Sequence, residues 1–184
     1  GDGKVGVDLG CKDAATSSQG DKLTIKQTQK WAKKLTIAQR ANHKKRVKAI
    51  HAKIKNTRQD LIHKFTTSLI KDNALIVVGK LQSSSFTSSK LAKSVYDAGW
   101  FEMKRQLDYK CKYAGCHYIE VNESYTTQTC SCCGSRQNSP KGRADLGIRE
   151  WICECGVTHD RDINAAKNIL AVGLDRLVEG IPSV

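Results

Sequence analysis

Arg149 to Leu170 reads REWICECGVTHDRDINAAKNIL, and the rest of the chain is organised around it. It holds one half of a metal knuckle, Cys153-Glu154-Cys155-Gly156, and then an aspartate, Asp162, where a helix begins. Thiolates suit a structural zinc ion. A carboxylate at a helix start suits a hard cation such as magnesium. Two different metal chemistries therefore fall close together, and the other residues of each site lie elsewhere in the chain.

The other half of the knuckle is Cys130-x-x-Cys133-Gly134, separated from Cys153 by 19 residues. Each cysteine pair brackets a tight turn, and the glycine after it accepts the backbone angles such turns require. Four thiolates close a tetrahedral site and leave no open position, so the expected role of Cys130, Cys133, Cys153 and Cys155 is to hold structural zinc. Cys132 is an alternative to Cys133, but it breaks the pairing with Gly134. Cys11, Cys111 and Cys116 are read as small buried residues. Residues 126–158 are rich in turn formers and poor in aliphatics, so they need the metal to hold a fold.

Composition sets further bounds. Lys and Arg number 31 against 18 Asp and Glu, a formal charge of +13. That excess favours a polyanionic partner. No apolar run is long enough to cross a membrane, and the first residues lack the pattern of a signal peptide. Paired cysteine knuckles point to a reducing compartment rather than to disulfides. The chain starts on a strand without an initiator Met and is expected to be the C-terminal part of a longer protein.

In chain order, Lys4 to Leu9 alternates as a strand with Asp8 near its end. Residues 12–18 and 21–26 extend it into a meander, turning at Gln19-Gly20-Asp21. About Gln29 to Asp72 is helical. Val47, Ile50, Ile54, Leu61, Phe65 and Leu69 mark its apolar stripe. No acidic residue occurs between Asp21 and Asp60. Lys33, Lys34, Arg40, Lys44, Lys45, Arg46 and Lys48 carry like charges, which repel unless phosphates neutralise them. A break near Ala41-Asn42-His43 turns this region into a helical hairpin. Ala74 to Val78 is a buried central strand. Ser83 to Ser89 reads as a loop, with Ser88 or Ser89 capping a helix from Lys90 to about Ala114. Leu91, Val95, Ala98, Met103, Leu107 and Cys111 mark its stripe. Cys116 to Val121 is another strand, and Asp160 to Leu174 the last helix. Asp160 and Asn164 are helix-start caps or supports for a site, and Arg161 faces either a phosphate or solvent.

The motifs resemble the TnpB/OrfB proteins of insertion sequences, relatives of type V CRISPR effectors. Val5-Gly6-Val7-Asp8-Leu9-Gly10 is similar to their first RuvC motif. Thr126-Thr127-Gln128-Thr129-Cys130-Ser131-x-Cys133-Gly134 is similar to the start of their zinc ribbon. Asp160-Arg161-Asp162-Ile163-Asn164-Ala165-Ala166-x-Asn168-Ile169 is similar to their third RuvC motif. The resemblance spans the chain but only the C-terminal half of such a protein. It implies an α/β fold: an RNase H-like (RuvC) mixed sheet with an inserted basic helical hairpin and a zinc ribbon. The implied division is a nuclease core over 1–125 with the insertion at about 29–72, a ribbon over 126–158, and a final helix and tail over 159–184.

The same resemblance implies an RNA-guided, Mg2+-dependent DNA endonuclease in a prokaryotic cytoplasm, with DNA and a guide RNA as partners. Of the family's three acidic residues, Asp8 and Asp162 match the first and third. Gly79 stands where the second belongs. Glu123, after the strand ending at Val121, is the expected substitute, with Glu120 its rival. Alternation places Glu120 and Asn122 on one face and Val121 and Glu123 on the other. Asp8, Glu123 and Asp162 would then hold the magnesium. The alternatives are a nuclease-dead relative that binds DNA without cutting it, and a zinc-ribbon fragment that binds nucleic acid without a guide.

Overall fold

The computed structural model describes residues 1–80, 99–141, 145 and 147–180. Strand β1 (Gly3–Asp8) leads a five-stranded mixed sheet. β2 (Ala15–Ser17) and β3 (Lys22–Leu23) follow it as an antiparallel meander. Both are shorter than the pattern suggested, ending near the turn that Ser17 and Asp21 close and losing most of their expected length at the far ends. Helices α1 (Gln27–Arg40) and α2 (Lys44–Asp72) form the expected hairpin. Asn42, with φ 52°, makes the break between them. Then come β4 (Asn73–Lys80), α3 (Trp100–Ala114) and β5 (His117–Asn122). The short hairpin β6 (Glu150–Ile152) and β7 (Thr158–Asp160) runs straight into α4 (Arg161–Val178). The expected loop at Ser83–Ser89 and the first part of the helix from Lys90 lie outside the described residues.

The sheet order is β3-β2-β1-β4-β5, with β4 parallel to both β1 and β5. Parallel central strands are covered on both faces, which explains the unbroken apolar run in β4. On one face Val5, Val7, Ile76 and Val78 pack with Ile62 and Leu69 of α2 and with Met103 and Leu107 of α3. On the other, Leu75, Val77, Ile119 and Val121 pack with Ile169 of α4. The basic hairpin has a small core of its own, Ala38, Ile50 and Ile54, flanked by Trp31, Leu35 and Val47.

Helix α4 lies unusually close to β1. A Cβ at Gly6 would run into the carbonyl oxygen of Ala166 and come within 2.8 Å of the Leu170 nitrogen. Only glycine permits this backbone-to-backbone approach. Overpacking of this kind costs 1–3 kcal/mol where side chains can move; here main chain must move. Gly6→Val is therefore expected to lower the unfolding free energy by about 3 kcal/mol or more. Denaturant titration checks this: a midpoint equal to the parent's would show that α4 does not rest on Gly6.

Candidate metal and carboxylate sites

Two periodicities bring the acidic residues together. Gly6 faces Ala166, and Asp8 lies two residues further along the same face of β1. Asp162 lies one turn before Ala166 on α4. Asp162 is one of the charges that raise the Asp8 pKa. Asp160 caps α4, accepting hydrogen bonds from the Asp162 and Ile163 amides at 3.0 Å each. Lys22 in turn holds Asp160 at 2.7 Å.

Glu123 joins them. Val7 pairs with Val78, and Gly79 pairs with Val121, so Asp8, Gly79 and Val121 form a row across the sheet. Glu123 lies two residues beyond Val121 on the same face. Its carboxylate folds back over Gly79, and a Cβ there would collide with Glu123 Oε2. The acid at 123 thus fills the space that a side chain at 79 would take. Glu123 Oε2 is buried without a hydrogen-bond partner. Burial pushes the Glu123 pKa up, with Lys104 opposing. Burial likewise raises Asp8 well above the ordinary carboxylate range, helped by Glu123 and Asp162 and opposed by Arg161. Glu120 points to the other face, where Lys104 pairs with it at 2.7 Å and the Tyr118 hydroxyl donates to it at 2.8 Å. An orphaned carboxylate oxygen among crowded acids is a donor set that suits a hard divalent cation.

The cysteines form a second cluster. The Sγ atoms of Cys130, Cys133, Cys153 and Cys155 all lie within 4.8 Å of one another, with Cys130–Cys155 at 3.8 Å and Cys133–Cys153 at 3.6 Å. A tetrahedral zinc site with Zn–S near 2.3 Å has edges of roughly 3.8 Å, so the four thiols fit that ion. Gly134 and Gly156, after each pair, have φ of 76° and 84°. Burial works against ionising Cys130, but the Cys133 and Cys132 amides and His159 outweigh it and lower its pKa to about 6. Cys132 is exposed and outside the set, as is Cys11, which was expected to be buried.

His159 and Arg149 had no role assigned from sequence, whereas Asn164 stood there as a cap or support and Arg161 as facing phosphate or solvent. His159 Nε2 lies 3.0 Å from Cys130 Sγ, with Trp151 stacked on its ring at 4.8 Å. Asn168 Nδ2 donates to the Thr129 and Thr126 carbonyls at 2.6 and 2.8 Å. Asn164 accepts from the Ser131 amide at 2.9 Å and donates to the Thr129 carbonyl at 2.8 Å. These bonds fasten the cysteine module to the first turns of α4. Arg149 Nη1 stands 3.4 Å from both Asp162 oxygens. Arg161 is buried and donates to the Asp145 carbonyl, so it faces neither phosphate nor open solvent. The aligned asparagines of the NAAKN stretch were the one signal that pointed to such contacts. Lys33, Lys34, Arg40, Lys44, Lys45, Arg46 and Lys48 are all exposed on the hairpin, with Lys34 over the Trp31 ring at 4.9 Å.

Residues 1–90 match a family profile described as a probable transposase (OrfB_IS605), and residues 100–169 match one described as Cas12f1-like, TNB domain. A putative RNA-guided DNA endonuclease from Streptomyces pristinaespiralis is 36% identical over 92% of this chain. The chain belongs to the TnpB/OrfB family. The putative RNA-guided DNA endonuclease InsQ of Escherichia coli (strain K12) is 33% identical to this TnpB/OrfB chain, again over 92% of it. The chain spans 45% and 48% of the lengths of these two relatives. Its fold is like that of a protein in the cryo-EM structure of a Cas12f1-sgRNA-target DNA complex. The TM-score is 0.69 at 21% identity, covering 91% of this chain and 49% of the other. Among the described residues no helix is long and apolar enough to cross a membrane.

Two outcomes are expected of the TnpB/OrfB chain itself. It should carry one equivalent of zinc by metal analysis; Cys133→Ser should lose it and Cys132→Ser should keep it. The opposite pattern would reassign the ligand. The raised Asp8 pKa also has a sign. The folded state holds that proton more tightly than the unfolded chain, so stability declines as pH climbs from the ordinary aspartate range to the folded-state value. Thermal melts without added Mg2+ should show a smaller decline between about pH 4 and pH 8 in Asp8→Asn, which has no such proton to lose. Added Mg2+ should stabilise the parent at the upper pH and leave Asp8→Asn unmoved.

Proposed function

We propose that this chain is the nuclease half of a transposon-encoded, RNA-guided DNA endonuclease that hydrolyses phosphodiesters with Mg2+. The observation that carries the reading is the Glu123 carboxylate lying over Gly79 and acting, with Asp162, on Asp8. Glu123 and Asp162 both act on Asp8, which supports a set of three acids although the usual second position is glycine. The relatives' names and their shared fold support the same assignment.

In this reading the sheet is RNase H-like, of the RuvC kind. Its order and strand directions support that, as does the closing helix bringing an acid to the end of β1. Residues 126–158 are a zinc ribbon held by Cys130, Cys133, Cys153 and Cys155. The α1–α2 hairpin contacts nucleic acid through its exposed lysines and arginines. DNA and a guide RNA are the partners, in a prokaryotic cytoplasm.

Asp8, Glu123 and Asp162 would hold the magnesium. Bound there, Mg2+ lowers the pKa of water and neutralises charge building on phosphate oxygens. The chain's own residues prepare the place. Burial keeps Asp8 and Glu123 poorly solvated, so their oxygens have few competing partners. Lys22 and the α4 amides fix Asp160, which sets the start of α4 and with it Asp162. Arg149, half-exposed beside Asp162, can bind a phosphate oxygen without leaving the site.

A protein of the relatives' full length, supplied with guide RNA and Mg2+, tests this. Glu123→Gln should reduce target cleavage roughly 100-fold or more while leaving target binding intact. Gly79→Glu combined with Glu123→Gly moves the acid to the position usual in the family and should restore cutting. Cleavage by Glu123→Gln at the parental rate would refute the relocated acid. Binding without cleavage by the unmodified protein would favour the nuclease-dead reading.

A further inference from the structure

Tyr125 has no part in the chemistry above, yet its conformation is hard to explain as packing. It adopts φ 64°, a left-handed backbone that bulky residues seldom take. The residue is 57% exposed. The backbone around it is pinned on every side. The Tyr125 carbonyl accepts from the Gln128 and Thr129 amides at 2.9 and 3.0 Å and from the Thr129 hydroxyl at 3.0 Å. Before it, Asn122 Oδ1 accepts from the Ser124 amide and hydroxyl. After it, Thr126 donates to the Glu123 carbonyl through both its amide, at 3.2 Å, and its hydroxyl, at 2.8 Å.

The Arg136 guanidinium lies 4.3 Å from the Tyr125 ring centroid. The Arg136 carbonyl accepts from the Ser139 hydroxyl at 2.8 Å. Among the described residues no carboxylate pairs with it. The result is an exposed aromatic side chain on a hydrogen-bonded backbone, with a cation over its ring. Strain and apolar exposure are retained together, which favours a role in contact over one in folding. An aromatic face with an arginine beside it, on a chain of charge +13, suits a nucleobase attached to phosphates.

We propose that Tyr125, backed by Arg136, is a stacking platform for one unpaired nucleobase beside the carboxylate site. Tyr125 is two residues from Glu123, at most about 7 Å of chain. The two residues are close enough for one strand to touch both. The proposal rests on the nuclease reading for its choice of ligand. Stacking is tolerant of base identity, so the platform positions the strand and does not read its sequence.

The test uses the zinc-loaded chain with no Mg2+ or other free divalent ion in solution, so the carboxylate site does not contribute. Fluorescence anisotropy measures binding of oligothymidylate, oligouridylate and a fully abasic sugar–phosphate strand of equal length and charge. Tyr125→Asn is the main variant, because asparagine accepts the left-handed backbone and the fold should be kept or strengthened. It should weaken oligothymidylate or oligouridylate binding roughly 5- to 150-fold and leave the abasic strand unchanged. Tyr125→Phe should bind as the parent does. The DNA and RNA arms show which strand the platform takes. Equal loss on intact and abasic strands, no loss on either, or no binding by the parent would each overturn the proposal. The nuclease reading stands or falls separately, on cleavage by Glu123→Gln.

Discussion

The structure depends on the contact between the main chain of α4 and the main chain of β1. A helix normally stands off a sheet by the length of its side chains. At Gly6 that spacer is missing, and the carbonyl of Ala166 takes the place of a Cβ. Because the contact is between backbones, it fixes rotation and height along the helix together. Asp162 must then arrive at the end of β1, one turn away from the contact, and Asp8 must face it. Crowded acids of this kind repel and resist ionisation, so they are costly unless something else holds them. Gly6 and the apolar face around Ile169 do the holding.

Glu123 is a solution of the same constraint by another route. Strand β5 runs parallel to β4, and Glu123, two residues past the Gly79 partner Val121, folds back over Gly79. A side chain at 79 would meet the Glu123 carboxylate, so one of the two would have to move. Gly79 and Glu123 are therefore one feature. The glycine that looks like a loss in the sequence is what admits the acid from the neighbouring strand.

The cysteine module and the carboxylate site are physically continuous. β7 feeds α4 without a loop. His159 touches Cys130, and Asn164 and Asn168 grip the segment that carries the first knuckle. Disturbing one cluster therefore strains the other. Arg149 belongs to the module by its backbone, where its carbonyl accepts from Arg161 at 2.7 Å, and to the carboxylates by its guanidinium.

Local patterns carried much of this. Alternation, helical periodicity and the knuckle spacing depend on neighbours within a few residues. The strand holding Asp8, the basic hairpin with its break at Asn42, the four-cysteine set and the helix opening at Asp162 were all legible in the sequence. The preference for Glu123 over Glu120 was legible only as a choice of faces. Which face meets α4 depends on strand register and helix packing, and these involve residues more than forty positions apart, as Gly79 and Glu123 are. The approach of Arg149 to Asp162, the burial of Arg161 and the exposure of Cys11 left no local pattern, and the grip of Asn164 and Asn168 left only the aligned asparagines. Each is set by what another part of the chain brings alongside. The sequence by itself determined which side chains were available and on which elements. The tertiary structure decided which of them share a space, because only packed backbones fix distances between remote residues.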